Sequence, residues 1–433
     1  MPKRIPVIAT PEPAAASRLA NLPFEGRVAM ADVAPSIKEG LLAFASTTGL
    51  LVMSQMMEAE LVARIGPKHA RIPERAGSRH GATEGSVVLG GRKVSLERPR
   101  ARSTDGTEIG LDSWAAFAGS DLLDQVVMER MLAGVATRRH ADVGEPMGTD
   151  VDARTSATGR SSVSRRFLAA TKRALDELMA RDLSDLDVAV AMVDGIELAG
   201  QCAVAALVIT VDGRKVPVGL WLGDTENKAV VTALLADLVA RGLSAQKGLL
   251  VVLDGAKALA AGVRKVFGSR ALIQRCTIHK RRNVADHLPK EIAPRIDRRL
   301  AAAFAHADPA VGLARARAIA SEIEANHPDA AASLREGLAD MFTVRALGVK
   351  GDLARSLSTT NAIESMISIA RRTMGNVKRW QDGSMKKRWV AAGMLEAERS
   401  FRRLRGCAQM PVLVAAIQSA TAAKSTGYDE EVA

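Results

Sequence analysis

Two unbroken apolar runs, VAVAMV at residues 188–193 and LLVVL at 249–253, each lead straight into Asp-Gly. Runs of this length without polar alternation predict strands buried on both faces of a sheet. Between and around them the pattern changes in an orderly way. CAVAALVITV (202–211) predicts a second strand, and Asp212-Gly213 turns the chain into VPVGLWLG, a third. ENKAVVTALLADLVARGL carries apolar residues at helical spacing, AKALAAGVRKVF (256–267) predicts a second helix, and RALIQRC a fifth short strand. Strand, strand, strand, helix, strand, helix, strand is a mixed α/β order, with an antiparallel edge on an otherwise parallel sheet.

Upstream, helical spacing from Ile37 to about Ile65 puts Leu50, Met53, Met57, Leu61 and Ile65 on one face. The alternation in SVVLGGRKVSLE predicts a hairpin turning at Gly90 and Gly91. Two further helical blocks, LLDQVVMERMLAGVATRRH and SSVSRRFLAATKRALDELMARDL, carry basic residues and are read either as a helix-turn-helix-like unit or as an ordinary helical pair. After about His287 the chain is helical and charged to about Leu347; a Gly-containing loop and the helical stretch SLSTTNAIESMISIARRT follow. These shifts divide the sequence into a loose leader (1–35), a mainly helical N-terminal region with a small hairpin (36–182), and a mixed-sheet core. The core runs over 183–288, is interrupted by a helical insertion (289–350) and resumes over 351–405; a tail (406–433) ends the chain. The strand order is that of the ribonuclease-H-like fold.

Composition narrows the function classes. At 433 residues with 47% hydrophobic residues, the chain can bury a full core. A net charge of +12 favours a polyanionic partner, and 3% aromatic content disfavours base stacking on an aromatic platform, so duplex DNA gripped by its phosphates fits best. A membrane-surface role lacks the basic amphipathic helix with bulky aromatics that it requires. Cys202, Cys276 and Cys407 are too far apart for a disulfide framework and point to a reducing compartment, the cytosol. The longest uncharged run, 40–57, holds Ser, Thr and Gln and reads as a buried or partner-facing helix rather than a membrane span.

The candidate chemistry lies where the apolar runs stop. In open α/β sheets, reactive groups gather beyond the carboxyl ends of the strands, where Asp194 and Asp254 are expected. If the two strands are neighbours, their carboxylates form the oxygen-rich rim that magnesium requires, and a third acid would complete a two-ion site for phosphodiester chemistry. Each acid also has a structural reading: Asp194 as a turn residue, Asp254 as a helix cap, and Glu364 as the third residue of a capping box with Asn361. Glu226 and Glu197 are rival third acids. Cys276 and His279, in RCTIHKRRN, have the spacing of half a zinc site without an evident second pair.

With these residues in place, the chain resembles the bacterial insertion-sequence transposases of the Mutator-related family, which carry an Asp-Asp-Glu site. MVDGIEL and VVLDGAKAL match the two aspartate motifs, QRCTIHKRRNV the Cys-x-x-His signature, and SLSTTNAIESMISIARRTMGNVKRW the glutamate motif. The resemblance implies that Asp194, Asp254 and Glu364 are catalytic and hold Mg²⁺ (or Mn²⁺), as two ions, and that Cys276 and His279 are the signature pair. It implies binding to the element's terminal inverted repeats, cleavage beside them, and joining of the freed 3′ hydroxyl to target DNA. Cutting two ends together calls for a homodimer or larger assembly on nucleoid DNA.

Between residues 371 and 405, eleven basic residues face three acidic ones. Arg371, Arg372, Lys378, Arg379, Lys386, Lys387 and Arg388 are the expected DNA contacts, with Arg399, Arg402, Arg403 and Arg405 beyond them. A metal-dependent nuclease or resolvase of the same fold, and a non-catalytic DNA-binding regulator, are the rival readings.

Overall fold

The computed structural model describes residues 39–119, 121–156, 158–225 and 227–430; the leader and Glu226 lie outside them. The chain divides into two compact units, Met1–Ala170 and Thr171–Ala433.

In the first unit, a long helix α1 (Leu41–Ile65) lays Leu50, Met57, Leu61 and Ile65 into a core shared with Val87, Val94, Leu96 and Ala101. The last four come from a two-stranded ribbon, β1 (Gly77–Leu89) and β2 (Arg92–Ser103). Leu89 pairs with Arg92, so the ribbon turns through Gly90 and Gly91 alone. Both have positive φ (54° and 75°), the conformation of a type I′ turn that suits the strand twist. The hairpin is much longer than the expected small one, because its arms run to Gly77 and Ser103 with a register shift near Arg79 and Ala82. The helix-turn-helix reading also gives way. Helices α2 (Asp112–Phe117) and α3 (Asp121–Leu132) are followed by α4 (Thr149–Ala153) and β3 (Thr155–Ser156), which pairs with β2, before α5 (Arg160–Ala180) begins. A helix and a sheet strand between α3 and α5 leave no short turn of the kind that motif needs.

The second unit is built on a five-stranded mixed sheet of order β6-β5-β4-β7-β8. β4 (Val188–Leu198), β5 (Gln201–Thr210) and β6 (Lys215–Gly223) are antiparallel neighbours, and β7 (Leu249–Leu253) and β8 (Ala271–Arg275) extend the sheet in parallel. Helices α6 (Lys228–Ala240) and α7 (Lys257–Phe267) supply Leu234, Leu235, Leu238, Val263 and Phe267 to one face, against Ala191, Val193, Val204, Val251 and Leu253. Because successive side chains alternate, Val190, Met192, Leu250 and Val252 point to the opposite face.

After β8 and helix α8 (Thr277–Ala285), α9 (Ala293–Phe304), α10 (Pro309–Glu324) and α11 (Pro328–Arg335) close a core of their own. Ile296, Leu300, Ile319, Ile323, Leu334 and Met341 fill it, and Phe304 meets Phe342 edge to face at 5.6 Å. The chain returns through α12 (Thr343–Ala346) and α13 (Gly351–Leu357) to α14 (Asn361–Thr373), which packs on β4 and on α15 (Gly383–Arg399). Helix α16 (Met410–Glu430) ends the described chain. No helix among the described residues is long and apolar enough to cross a membrane.

Candidate active site

The parallel ladder between β4 and β7 runs from Val190–Leu250 to Val193–Leu253, and the next residue on each strand is an aspartate. Register alone therefore sets Asp194 and Asp254 side by side at one rim. Both follow residues of the α6–α7 face and so share the other face, where α14 lies.

Asp194 is not where its strand ends. β4 continues to Leu198 as the arm of a hairpin with β5, and Asp194 pairs with Ala205 inside that ladder. The Asp-Gly turn reading fails for the same reason. Only the β7 side of β4 stops at Val193, which opens the rim. Asp194 Oδ1 accepts the Gly195 N–H at 2.8 Å. Asp254 Oδ1 accepts the Ala256 N–H at 2.8 Å, fixing the carboxylate in the bend before α7, whose cap residue is Ala256 and not Asp254. Gly255 makes that bend at φ 123°, a conformation closed to other residues. Burial, then the neighbouring Asp254, push the Asp194 carboxyl up to about 6, against the pull of the Gly195 N–H and His279.

Glu364 enters from α14. The capping box expected of Asn361 and Glu364 is absent: the helix cap is Thr360, one residue earlier, and its hydroxyl donates to Glu364 Oε1 at 2.5 Å while Glu364 N–H bonds the Thr360 carbonyl at 2.9 Å. Asn361 is the first helical residue and is exposed. The rival Glu197 stands an odd number of residues from Asp194, exposed on the other face of β4.

Cys276 and His279 join the two halves of the site. The Cys276 N–H bonds the carbonyl of Leu253, the residue before Asp254, at 2.7 Å, and Thr277 bonds the Ser358 carbonyl through its N–H (3.0 Å) and hydroxyl (3.1 Å). His279 Nδ1 lies 3.4 Å from Thr360 Oγ1 and 3.7 Å from Glu364 Oε1. The thiol, imidazole and carboxylate donors of Cys276, His279 and Glu364 all fall within 4.8 Å of one another, a third donor that the sequence spacing did not disclose. The hydrogen bond to Cys276 pushes His279 up to about 9 against burial, and Glu364 and Asp254 add to the rise. Burial disfavours the Cys276 thiolate, yet hydrogen bonds from His279 and Thr360 hold the thiol below its ordinary value.

Sequence reasoning missed Thr360 and Arg275. Arg275, almost wholly buried, donates to the Gly255 carbonyl at 3.0 Å and pairs with Glu336 (2.7 Å) and Asp340 (3.2 Å) of the helical insertion. Lys280, also buried, holds the Ser333 and Glu336 carbonyls at 2.6 and 2.8 Å. The insertion is thus tied to the loop that carries Asp254. A charged residue closing a fully buried strand, after Gln274, was the signal for Arg275; Thr360 was legible only as a hydroxyl preceding a helix.

The basic segment divides into two classes. Arg371, Arg372, Lys378 and Arg379 are exposed, and Arg371 stands seven residues after Glu364, on the same face two turns along. Lys387 is half-buried. Lys386 departs from its expected role: it is buried, donating to the Ala199 carbonyl at 3.1 Å and Gln201 Oε1 at 3.0 Å, which fastens α15 to the β4–β5 hairpin. Arg388 likewise turns inward, to Thr171 Oγ1 at 3.0 Å. Arg399 pairs with Glu396, and Arg403 with Asp212.

Comparison with known proteins bears on the family. The chain is 28% identical over 277 residues to a transposase for insertion sequence element ISRM5 from Rhizobium meliloti, covering 62% of this chain and 66% of that one. It is 28% identical over 170 residues to a transposase for insertion sequence element IST2 from Acidithiobacillus ferrooxidans, covering 39% and 56%. A "probable transposase for insertion sequence element" from Corynebacterium diphtheriae matches at 25% over 325 residues, 72% of this chain and 89% of the relative. The match therefore spans less than two thirds of the length of the first two relatives. The sequence profile of the Mutator family of transposases matches residues 29–403, from before α1 to beyond α15, and the chain belongs to that family.

Proposed function

We propose that the protein is a DNA transposase that binds the ends of its insertion sequence, cleaves beside them and joins the freed 3′ ends to target DNA at Asp194, Asp254 and Glu364. The observation that carries this is the β4–β7 register, which brings two aspartates from separate sequence motifs to one rim, facing the helix that bears Glu364. The mixed sheet, with three antiparallel strands followed by two parallel ones and the glutamate helix after an insertion, supports a ribonuclease-H-like core.

The donor set suits a hard dication. Each aspartate engages one oxygen with a backbone N–H, Asp194 carries a carboxyl raised by burial and by Asp254, and all three side chains offer oxygen. Magnesium, or manganese in its place, would be held by Asp194, Asp254 and Glu364, as one or two ions, and would supply charge stabilisation to the attacking and leaving oxygens. The chain itself does the positioning. Thr360 orients Glu364, Cys276 and Arg275 fix the loop of Asp254, and Arg371 and Arg372 offer phosphate contacts along α14.

The test incubates purified protein with labelled DNA carrying the sequences that flank its gene, in Mg²⁺. Wild type should nick and join strands, and Glu364→Gln, which can still accept from Thr360, should bind without cutting. Equal activity in Glu364→Gln overturns the assignment. Cutting without joining would favour a nuclease or resolvase, and full function in Asp194→Asn a non-catalytic regulator.

A further inference from the structure

Cys276, His279 and Glu364 form a second donor set that overlaps the carboxylate site and differs from it in chemistry. The carboxylates offer only oxygen, the preference of magnesium; thiolate and imidazole select thiophilic dications of the zinc class. His279 and Glu364 are open to solvent, with 27% and 35% of their side chains exposed, so an ion can reach them, and Cys276 forms the floor. Three protein ligands with one position left open is a coordination that zinc adopts in proteins when a site is not closed by a fourth residue.

We propose that a thiophilic dication of the zinc class binds Cys276, His279 and Glu364 and, by engaging the Glu364 carboxylate, switches the carboxylate site off. The inhibitory half of this inference rests on the proposed function; the binding half does not. Bonds of roughly 2.0–2.3 Å in a tetrahedral shell set ligands about 3.5 Å apart. His279 Nδ1 and Glu364 Oε1 already stand 3.7 Å apart, and all three donor atoms lie within 4.8 Å of one another. A Glu364 carboxylate bound to this ion is not free to serve an ion at Asp194 and Asp254.

The experiment titrates the full-length protein with Co²⁺ alone, in magnesium-free buffer without DNA, and reads the thiolate-to-cobalt charge-transfer band. One equivalent should produce the band. Cys276→Ser should abolish it, Cys407→Ser and Asp194→Asn should keep it, and His279→Gln and Glu364→Gln should weaken binding at least about a hundredfold, beyond the loss typical of an outer-shell change. If Cys276→Ser does not fold, His279→Gln carries the test alone. No band, or a band that survives in Cys276→Ser, overturns the site. Zn²⁺ should then suppress Mg²⁺-dependent cleavage in wild type at the concentration that displaces cobalt; zinc that binds without suppressing cleavage overturns the inhibitory half. A protein that shows the band but never cuts DNA refutes the proposed function and leaves the metal site standing.

Discussion

Arg275 reaches back across the sheet from the end of β8 and donates to the carbonyl of Gly255, 3.0 Å away, on the loop immediately after Asp254. The same guanidinium holds Glu336 and Asp340, so the helical insertion and the aspartate loop share one buried cation. Burial works to raise the Glu336 carboxyl, but Arg275 and then Lys280 hold it below its ordinary value.

Removing Arg275 takes the buried cation from Glu336 and Asp340, leaving them only Lys280 and Arg264. Arg275→Met should destabilise the protein by about 3 kcal/mol or more, the usual penalty for breaking a buried pair from one side. Urea unfolding measures it. A loss below about 1 kcal/mol would show that the network is solvated and does not couple the insertion to the sheet.

Asp194 gives a pH signature. Its carboxyl is raised from 3.8 to about 6, so the folded state binds the proton more tightly than the unfolded chain, and stability declines as pH rises from about 4 through about 6. Asp194→Asn, which carries no charge at any pH, should stabilise the protein above pH 6 by about 2 kcal/mol, since the displacement corresponds to ~3 kcal/mol before solvent screening. The gain should vanish near pH 4. Thermal melts of both proteins without divalent metal decide it; a gain that does not change with pH refutes the account.

Gly393 is where α15 crosses α14. A Cβ there would stand 2.7 Å from Ala370 Cα and 2.8 Å from Thr373 Oγ1. Gly393→Val should cost about 1–3 kcal/mol and push α14 from its seat, reducing DNA cleavage more than the stability loss explains. Melting curves and single-turnover cleavage of the same preparation separate the two effects.

Thr360 is fully buried, and its hydroxyl orients Glu364. Thr360→Val preserves shape and removes the donor. A hydrogen bond to a charged acceptor contributes about 1.5–3 kcal/mol, so cleavage should fall about tenfold or more while the fold and DNA affinity hold. Unchanged cleavage would mean that Glu364 needs no such support.

Arg371 and Arg372 are exposed in the last turn of α14. Replacing both with Ala should weaken DNA binding and flatten the logarithmic salt dependence by about 0.9 for each phosphate no longer neutralised. Binding isotherms at several salt concentrations give the slope, and an unchanged slope removes these residues from the interface. Lys386→Ala, by contrast, should lower stability and leave the slope alone, because its ammonium lies beneath the Ala199 hairpin.

Local pattern was enough to define the elements of the core. Five strands and two helices read from periodicity occur in the order expected, because a wholly apolar run ending in Asp-Gly has few ways to be both buried and satisfied. The sequence also marked Asp194, Asp254 and Glu364 as a set, through family motifs rather than through any local property of three acids. The rest was settled by pairing and packing at long range. That Asp194 sits within a hairpin arm and still lies at the end of the β4–β7 ladder depends on that ladder stopping at Val193 and Leu253, a property of pairing between segments about sixty residues apart. Thr360 and not Asn361 caps the glutamate helix, and the turn before it is held at long range, by Thr277 on the Ser358 carbonyl. Lys386 and Arg388 look like their exposed neighbours in composition, and only the packing of α15 on the hairpin and on Thr171 turns them inward. Periodicity records what one segment does with its own faces; long-range pairing and burial arise between segments, and that is where the donor set of Cys276, His279 and Glu364 came into being.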